Sequence, residues 1–214
     1  MTALVQFSAV NCGRISQLSY ALEAGTAGVV RVPGREEKAL LIDLAVGERQ
    51  PESGTITLDG VALDAVPSGS IGWVPDGGGL ISNLKTWENV TLPVWYHRDR
   101  RVAETEARIA EWLAALGVVE DAMEAFMASP AARLTPLERK RAGLLRGLLL
   151  APRLLVVDGA LFGGVPQDVA ASWVAALEAF TRAEAAGSVL VAAAEGDFAM
   201  PWKTMTPWET ITTR

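Results

Sequence analysis

Apolar residues recur along this chain at two periods, and the places where the period changes mark out its elements. Val29 to Val32 is a β-branched run, followed by the turn pair Pro33-Gly34. Leu40, Leu41 and Leu44 then fall at helical spacing up to Gly47, so residues 29–47 predict strand, tight turn and helix. Ala3 to Val10 and Ser19 to Leu22 predict short strands separated by Gly13. Thr55 to Leu63 predicts two strands joined at Asp59-Gly60, a dipeptide suited to a two-residue hairpin. Ile71 to Val74, Leu154 to Val157 and Ser188 to Ala193 are unbroken apolar runs bounded by turn residues, the pattern of strands buried on both faces.

Between these runs the period lengthens. Ile109, Trp112, Leu113 and Leu116 follow one helical stripe, and Val169, Trp173, Val174, Leu177 and Phe180 follow another; both read as core. Residues 77–133 carry no convincing strand and predict a helical insertion. The pattern implies an α/β fold with a mostly parallel sheet, in one domain over residues 1–214.

Composition narrows the partners. The chain has 214 residues, half of them hydrophobic, enough for a sizeable core. A net charge of −6, with no arginine-rich stretch interleaved with aromatics, argues against a nucleic-acid surface. A single cysteine, Cys12, allows no internal disulfide, and the start of the chain lacks a basic region followed by an apolar run, so a cytosolic setting is expected. The longest apolar run, Gly143 to Pro152, is too short to span a bilayer, so no direct membrane insertion is expected.

Candidate chemistry centres on Lys38. Strand, tight turn, lysine and helix in that order is the layout of a phosphate-binding loop, G-x-x-x-x-G-K-[ST], whose backbone N–H groups surround phosphates. Here Val32 and Glu37 hold the glycine positions, and Ala39 stands where a hydroxyl would ligate Mg²⁺. The alternative is an ordinary strand-turn-helix in which Lys38 pairs with Glu37, Asp76 or Asp158. Elsewhere, His97 reads as a solvated surface residue, Gly77 to Gly79 as a flexible loop, and Glu138 to Arg141 as an exposed helical face. Trp87, Trp95 and Tyr96 read either as core or as part of a partner groove.

Taken in order, these features resemble the ATPase subunits of ATP-binding-cassette (ABC) transporters over nearly the whole chain. The intervals from Gly25 to Lys38 and from Lys38 to Gly47 match the family's first strand and phosphate loop. The phrase PESGTITLDG is close to the family's P-x-S-G-x-I-x-L-D-G. IGWVPDGGGLISNLKTWENVTLPVWYH is similar to the Q-loop and the start of the helical subdomain, with Asp76 at the glutamine position. LTPLERKRAGLLRGLLLAPRLLVVDGALFGGVPQDVA is similar to the signature motif, its helix, Walker B and D-loop. The wording from Gly77 to His97 is most like cassettes of the Mla/Mce type, which serve lipid-trafficking permeases.

The resemblance implies a P-loop NTPase-like parallel sheet with an antiparallel β subdomain and the helical subdomain inserted near residues 77–133. It implies ATP and Mg²⁺ as cofactors, with Pro33, Gly34, Arg35, Lys38, Ala39 and Asp76 at nucleotide-binding positions and Asp158 as the Walker B metal-site remnant. It also shows what is absent. LTPLE, Leu134 to Glu138, replaces LSGGQ, whose serine and glycine N–H groups clasp a γ-phosphate across a dimer. Gly159 stands for the catalytic glutamate, Pro166 for the D-loop aspartate, Ala194 for the switch histidine, and Cys12 for the aromatic residue stacked on adenine.

Each lost hydrogen bond to a charged phosphate removes about 1.5 to 3 kcal/mol, and a lost general base costs about 10² to 10⁴ in rate. Glu36 and Glu37, at a helix N-terminus, are expected to bond its free amides and repel a triphosphate, leaving the loop filled without ligand. The implied partners are a membrane permease and either an intact cassette or a second copy of this chain. The implied location is the cytoplasmic side of the inner (plasma) membrane, peripheral and attached through the permease. Leu80, Leu84, Trp87 and Trp95, with Ile81 and Leu92, form the expected permease-docking surface. Two functions follow: a non-catalytic docking or regulatory subunit of a transporter, inactive or very weak as an ATPase, or a functional ATP-binding ATPase subunit of an ABC transporter, of lipids in the finer resemblance, that works in a heterodimer or with weak activity.

Overall fold

The computed structural model describes residues 3–97, 102–183, 187–197 and 210–212. The chain opens with β1 (Ala3–Cys12), β2 (Ile15–Glu23), β3 (Ala27–Val32), α1 (Arg35–Val46), β4 (Ser53–Leu58), β5 (Val61–Ala62) and β6 (Ile71–Val74). Four helices follow, α2 (Thr86–His97), α3 (Val102–Ala115), α4 (Glu120–Ala128) and α5 (Pro136–Leu150). The chain then alternates through β7 (Leu154–Asp158), α6 (Gln167–Arg182), β8 (Ser188–Ala194) and β9 (Thr210–Thr212). The strands form an antiparallel sheet, β2-β1-β4-β5, and a parallel sheet, β6-β7-β8-β3-β9. This is the mixed α/β architecture the periodicity implies.

The parallel sheet is apolar on both faces because it divides two cores. Leu154 and Val156 of β7 pack with Val30, Leu190, α1 and the antiparallel sheet. Leu155 and Val157, one residue out of phase, pack with Val191, Trp173 and the helices. Alternate side chains of a strand point to opposite faces, so a strand covered on both sides must be apolar at every position. Arg153, just before β7, donates from Nε and Nη2 to the two carboxylate oxygens of Asp59, both at 3.0 Å, and so ties the β4–β5 turn to the parallel sheet.

Two strands run further than the apolar pattern implies. β1 and β2 continue through Asn11, Ser16 and Gln17, polar residues of a hairpin exposed on one side. Asn11 donates to the Ala9 carbonyl at 3.0 Å and accepts from the Gln17 amide at 2.9 Å, so its side chain supports the ladder where apolar contacts stop. The Asp59-Gly60 turn is as expected, with φ of +50° and +78°.

Among the described residues, 77–133 hold α2, α3 and α4 and no strand. Their ends are joined by an isolated antiparallel bridge between Lys85 and Pro130. Asn89, buried in α2, accepts from the Ile81 amide at 2.7 Å and donates to the carbonyls of Ile81 and Lys85, fixing the loop that leads into the helices.

Candidate functional site

Parallel strands present their C-terminal ends at one edge of a sheet, and ligands in such folds gather there. At that edge the structure brings together Arg35, Lys38, Ala39 and Ile42 of α1, Trp73, Asp76, Asp158, Ala160 and Asp197 around a cavity of about 400 Å³. Of the nucleotide-site candidates, Arg35, Lys38, Ala39, Asp76 and Asp158 therefore share one cavity. Pro33 and Gly34 belong to the turn before it and do not line it.

Lys38 is buried and doubly paired. Its Nζ lies 2.7 Å from Asp158 Oδ1 and 2.8 Å from Asp197 Oδ2. Of the three partners the sequence offers, only Asp158 is used, and the second carboxylate belongs to a residue that sequence reasoning passed over. Each carboxylate is seated on the backbone as well. Asp158 Oδ1 accepts from the Ala160 amide at 2.9 Å, and Asp197 Oδ2 accepts from the Ala194 amide at 2.9 Å. Burial alone would lower the Lys38 pKa, but the hydrogen bonds and charges of Asp158 and Asp197 outweigh it and hold the ammonium above the ordinary lysine value.

Glu36 and Glu37 do not fill the loop in the way expected. Gly34 caps α1 in an extended conformation and supplies no side-chain cap. Both carboxylates turn instead to Arg14 Nη1, each 3.6 Å away, and Glu36 remains 82% exposed. The reason is reach, because Arg14 in the β1–β2 turn offers a full positive charge whereas the amides offer partial ones. Glu37 is folded back over the turn, where a Cβ on Gly34 would lie 2.7 Å from its Oε2.

Asp76 is held by a second lysine. Lys140 Nζ lies 3.1 Å from Asp76 Oδ1 and donates to the carbonyls of Gly163 at 2.9 Å and Ala160 at 3.3 Å. The run Glu138 to Arg141 is accordingly not an exposed face; Arg139 alone in it is exposed. The triple glycine is not a loose loop either. Arg146, half-buried, donates to the Gly79 carbonyl at 2.6 Å and the Gly78 carbonyl at 2.9 Å. Gly78, at φ +80°, lies so close to α5 that any side chain would overlap the Arg139 carbonyl, and Gly143 leaves room for its backbone. Glycine serves close approach here rather than freedom.

Other positions are likewise occupied. The start of α5 is a complete capping box, in which the Glu138 amide donates to Thr135 Oγ1 and the Thr135 amide to Glu138 Oε2, with Pro136 in the first turn. Gly159 packs on β8, where a Cβ would meet the Ala192 carbonyl at 3.0 Å. Cys12, the last residue of β1, is buried in the core and presents no stacking face. His97 is half-buried, within 3.3 Å of Ser68 Oγ. Of the candidate partner residues, Leu80 and Trp87 pack against the helical core, whereas Ile81, Leu92 and Trp95 are about half exposed. Leu80 also lines a groove of about 490 Å³ with Pro75, Gly77, Gly79, Ala131 and Arg139.

The sequence profile of the family described as ABC transporter matches residues 38–161. The chain is 31% identical over 144 residues to the taurine import ATP-binding protein TauB of Pseudomonas aeruginosa, covering 67% of this chain and 52% of that protein. It is 29% identical over 123 residues to the molybdate/tungstate import ATP-binding protein WtpC of Archaeoglobus fulgidus, covering 56% and 48% respectively. The chain thus spans about half the length of these relatives. A dimeric ATP-binding cassette in a post-hydrolysis state with ADP and Pi superposes with a TM-score of 0.72 at 17% identity, over 87% of each chain, a likeness of fold.

Proposed function

The chain belongs to the ABC transporter family, and on that premise we propose that it is a cassette subunit that docks on a transporter permease while its nucleotide site is closed by its own side chains. The observation that carries this reading is Lys38, buried between Asp158 and Asp197. The residues present do not fit Mg-ATP. The single lysine of the loop is taken by two carboxylates, and Asp43 and Asp76 add two more around the same cavity. Ala39 offers no oxygen to a metal, and Glu37 lies over the turn that phosphates need. A triphosphate would have to displace a carboxylate from Lys38 and bring further negative charge into a cavity whose four aspartates face only Lys38 and Arg35 among its lining.

The docking face is the groove beside Pro75 and Leu80 together with the exposed side of α2, with Trp95 as its anchor. Trp87, packed against the core, supports that face from beneath. Among the described residues no helix is long and apolar enough to cross a membrane. The relatives' names speak of taurine and of molybdate or tungstate; the lipid-trafficking variant rests on the wording of residues 77–97 alone.

A melting experiment on the wild-type chain with Mg-ATP tests the closed site. Ligand stabilisation grows as RT ln(1 + [L]/Kd), so millimolar Mg-ATP leaves the melting temperature unchanged if the reading holds. A dose-dependent rise, together with phosphate release abolished by Lys38→Ala, restores an active ATPase subunit. Docking is tested separately by co-purification from native cells: Trp95→Ala and Leu84→Asp reduce recovery of the permease with folding intact.

A further inference from the structure

We infer that Asp197 is a built-in counter-ligand for Lys38, occupying the anion position of the cavity so that phosphate enters only when this carboxylate swings away. The inference rests on the closed-site reading above and names the residue that closes it.

Asp197 lies 159 residues from Lys38 in sequence, yet its Oδ2 accepts from Nζ at 2.8 Å and from the Ala194 amide at 2.9 Å. One ammonium and one backbone amide converging on one oxygen is the donor set a bound oxyanion would meet. Asp158 cannot be the group that needs Asp197. It already neutralises Lys38 at 2.7 Å and has its own amide from Ala160. Asp197 is therefore a second carboxylate on one ammonium, in a cavity that Arg35, Asp43 and Asp76 also line. Excess like charge is unfavourable there unless the fold fixes its position.

The fold does fix it. The Glu195 amide donates to the Val32 carbonyl at 3.1 Å and the Asp197 amide to the Ala194 carbonyl at 3.1 Å, closing a turn at the joined ends of β3 and β8. Gly196 supplies the positive φ, +87°, and nothing lies near its missing Cβ. The turn thus holds the aspartate over Lys38 through backbone bonds that do not involve its side chain. Rotation of that side chain would vacate the oxygen position with the turn intact. The class of ligand that competes for the position is a small phosphate-type anion.

The test uses inorganic pyrophosphate as probe and the melting temperature of the full chain as readout, with far-UV circular dichroism to confirm folding. Wild type shows no rise, and Asp197→Ala shows a dose-dependent one. Asp197→Asn shows a smaller rise because its amide oxygen still accepts from Ala194. Adding Lys38→Ala to Asp197→Ala abolishes the rise. If Asp197→Ala fails to fold, the isosteric Asn variant decides alone, a rise supporting the inference and none overturning it. No rise in either variant, an equal rise in wild type, or a rise that survives loss of Lys38 overturns it. Mg-ATP stabilisation of wild type would overturn the closed-site function, whereas failure confined to the Asp197 variants overturns only the role of Asp197.

Discussion

Two lysines, one at each side of the turn that follows β7, hold this edge of the sheet by different means. Lys38 faces two carboxylates, each through an oxygen that also accepts from a backbone amide. Lys140 faces one half-exposed carboxylate and two backbone carbonyls, and its neighbour Arg146 binds carbonyls only. The first arrangement concentrates charge, so removing the cation leaves two anions facing each other in a poorly hydrated space. The second spreads a cation over dipoles, so its parts are individually replaceable and its strength lies in how closely the backbones approach. Lys38 and the glycine loop are both engaged by the chain's own groups.

The largest effect falls on the charged side. Lys38→Met should cost about 2 to 3 kcal/mol, somewhat below a fully buried pair because Asp158 and Asp197 keep some contact with water. Urea denaturation measures it, and Asp197→Asn on that background should return part of the loss, a non-additivity that marks the two as one network. Equal and additive losses would break the contrast.

On the dipole side, Gly78→Ala should cost about 2 kcal/mol through left-handed strain and overlap with the Arg139 carbonyl. It should also speed amide exchange in residues 77–84 while leaving residues 194–197 unchanged. A neutral outcome would mean that the triple glycine is loose after all.

The smallest effect is set by pH. The folded pKa of Lys38 is raised above the ordinary 10.5, so its contribution is fully present below the unfolded value and is lost as pH rises through the folded one. The stability difference between wild type and Lys38→Met should therefore stay flat through neutral pH and shrink only in alkali beyond 10.5.

The fold was legible because burial on both faces of β7 and β8 forces apolar residues at every position, and because the α6 stripe ending in Phe180 repeats at helical spacing. The hairpin at Asp59-Gly60 was legible because few dipeptides accept two positive φ angles. Asp197 was not, since nothing local distinguishes it from any acidic residue after a strand. The usable signal was topological: β3 and β8 are neighbours, so the segment after β8 ends beside the turn that carries Lys38. Gly77 to Gly79 misled for a related reason. Glycine permits both a mobile loop and the tightest packing, and the difference lies in Arg146 and Gly143, more than sixty residues downstream. Glu36 and Glu37 were placed correctly on α1, but their partner Arg14 belongs to another sheet.

The closed capping box at the start of α5 bears on arithmetic of symmetry. In a pair of cassettes arranged as the resemblance implies, each of two composite sites combines the Lys38 loop of one copy with the α5 start of the other. Two copies of this chain would make two identical sites, each defective in both halves. Pairing with an intact cassette does not concentrate the damage in one site. The altered loop enters one site and the altered helix start enters the other, so each site contains one sound half and one defective half. On the closed-site reading, a mixed dimer containing this chain would have no unimpaired site, and residual hydrolysis would divide into two unequal rates, one limited by the altered loop and one by the occupied amides.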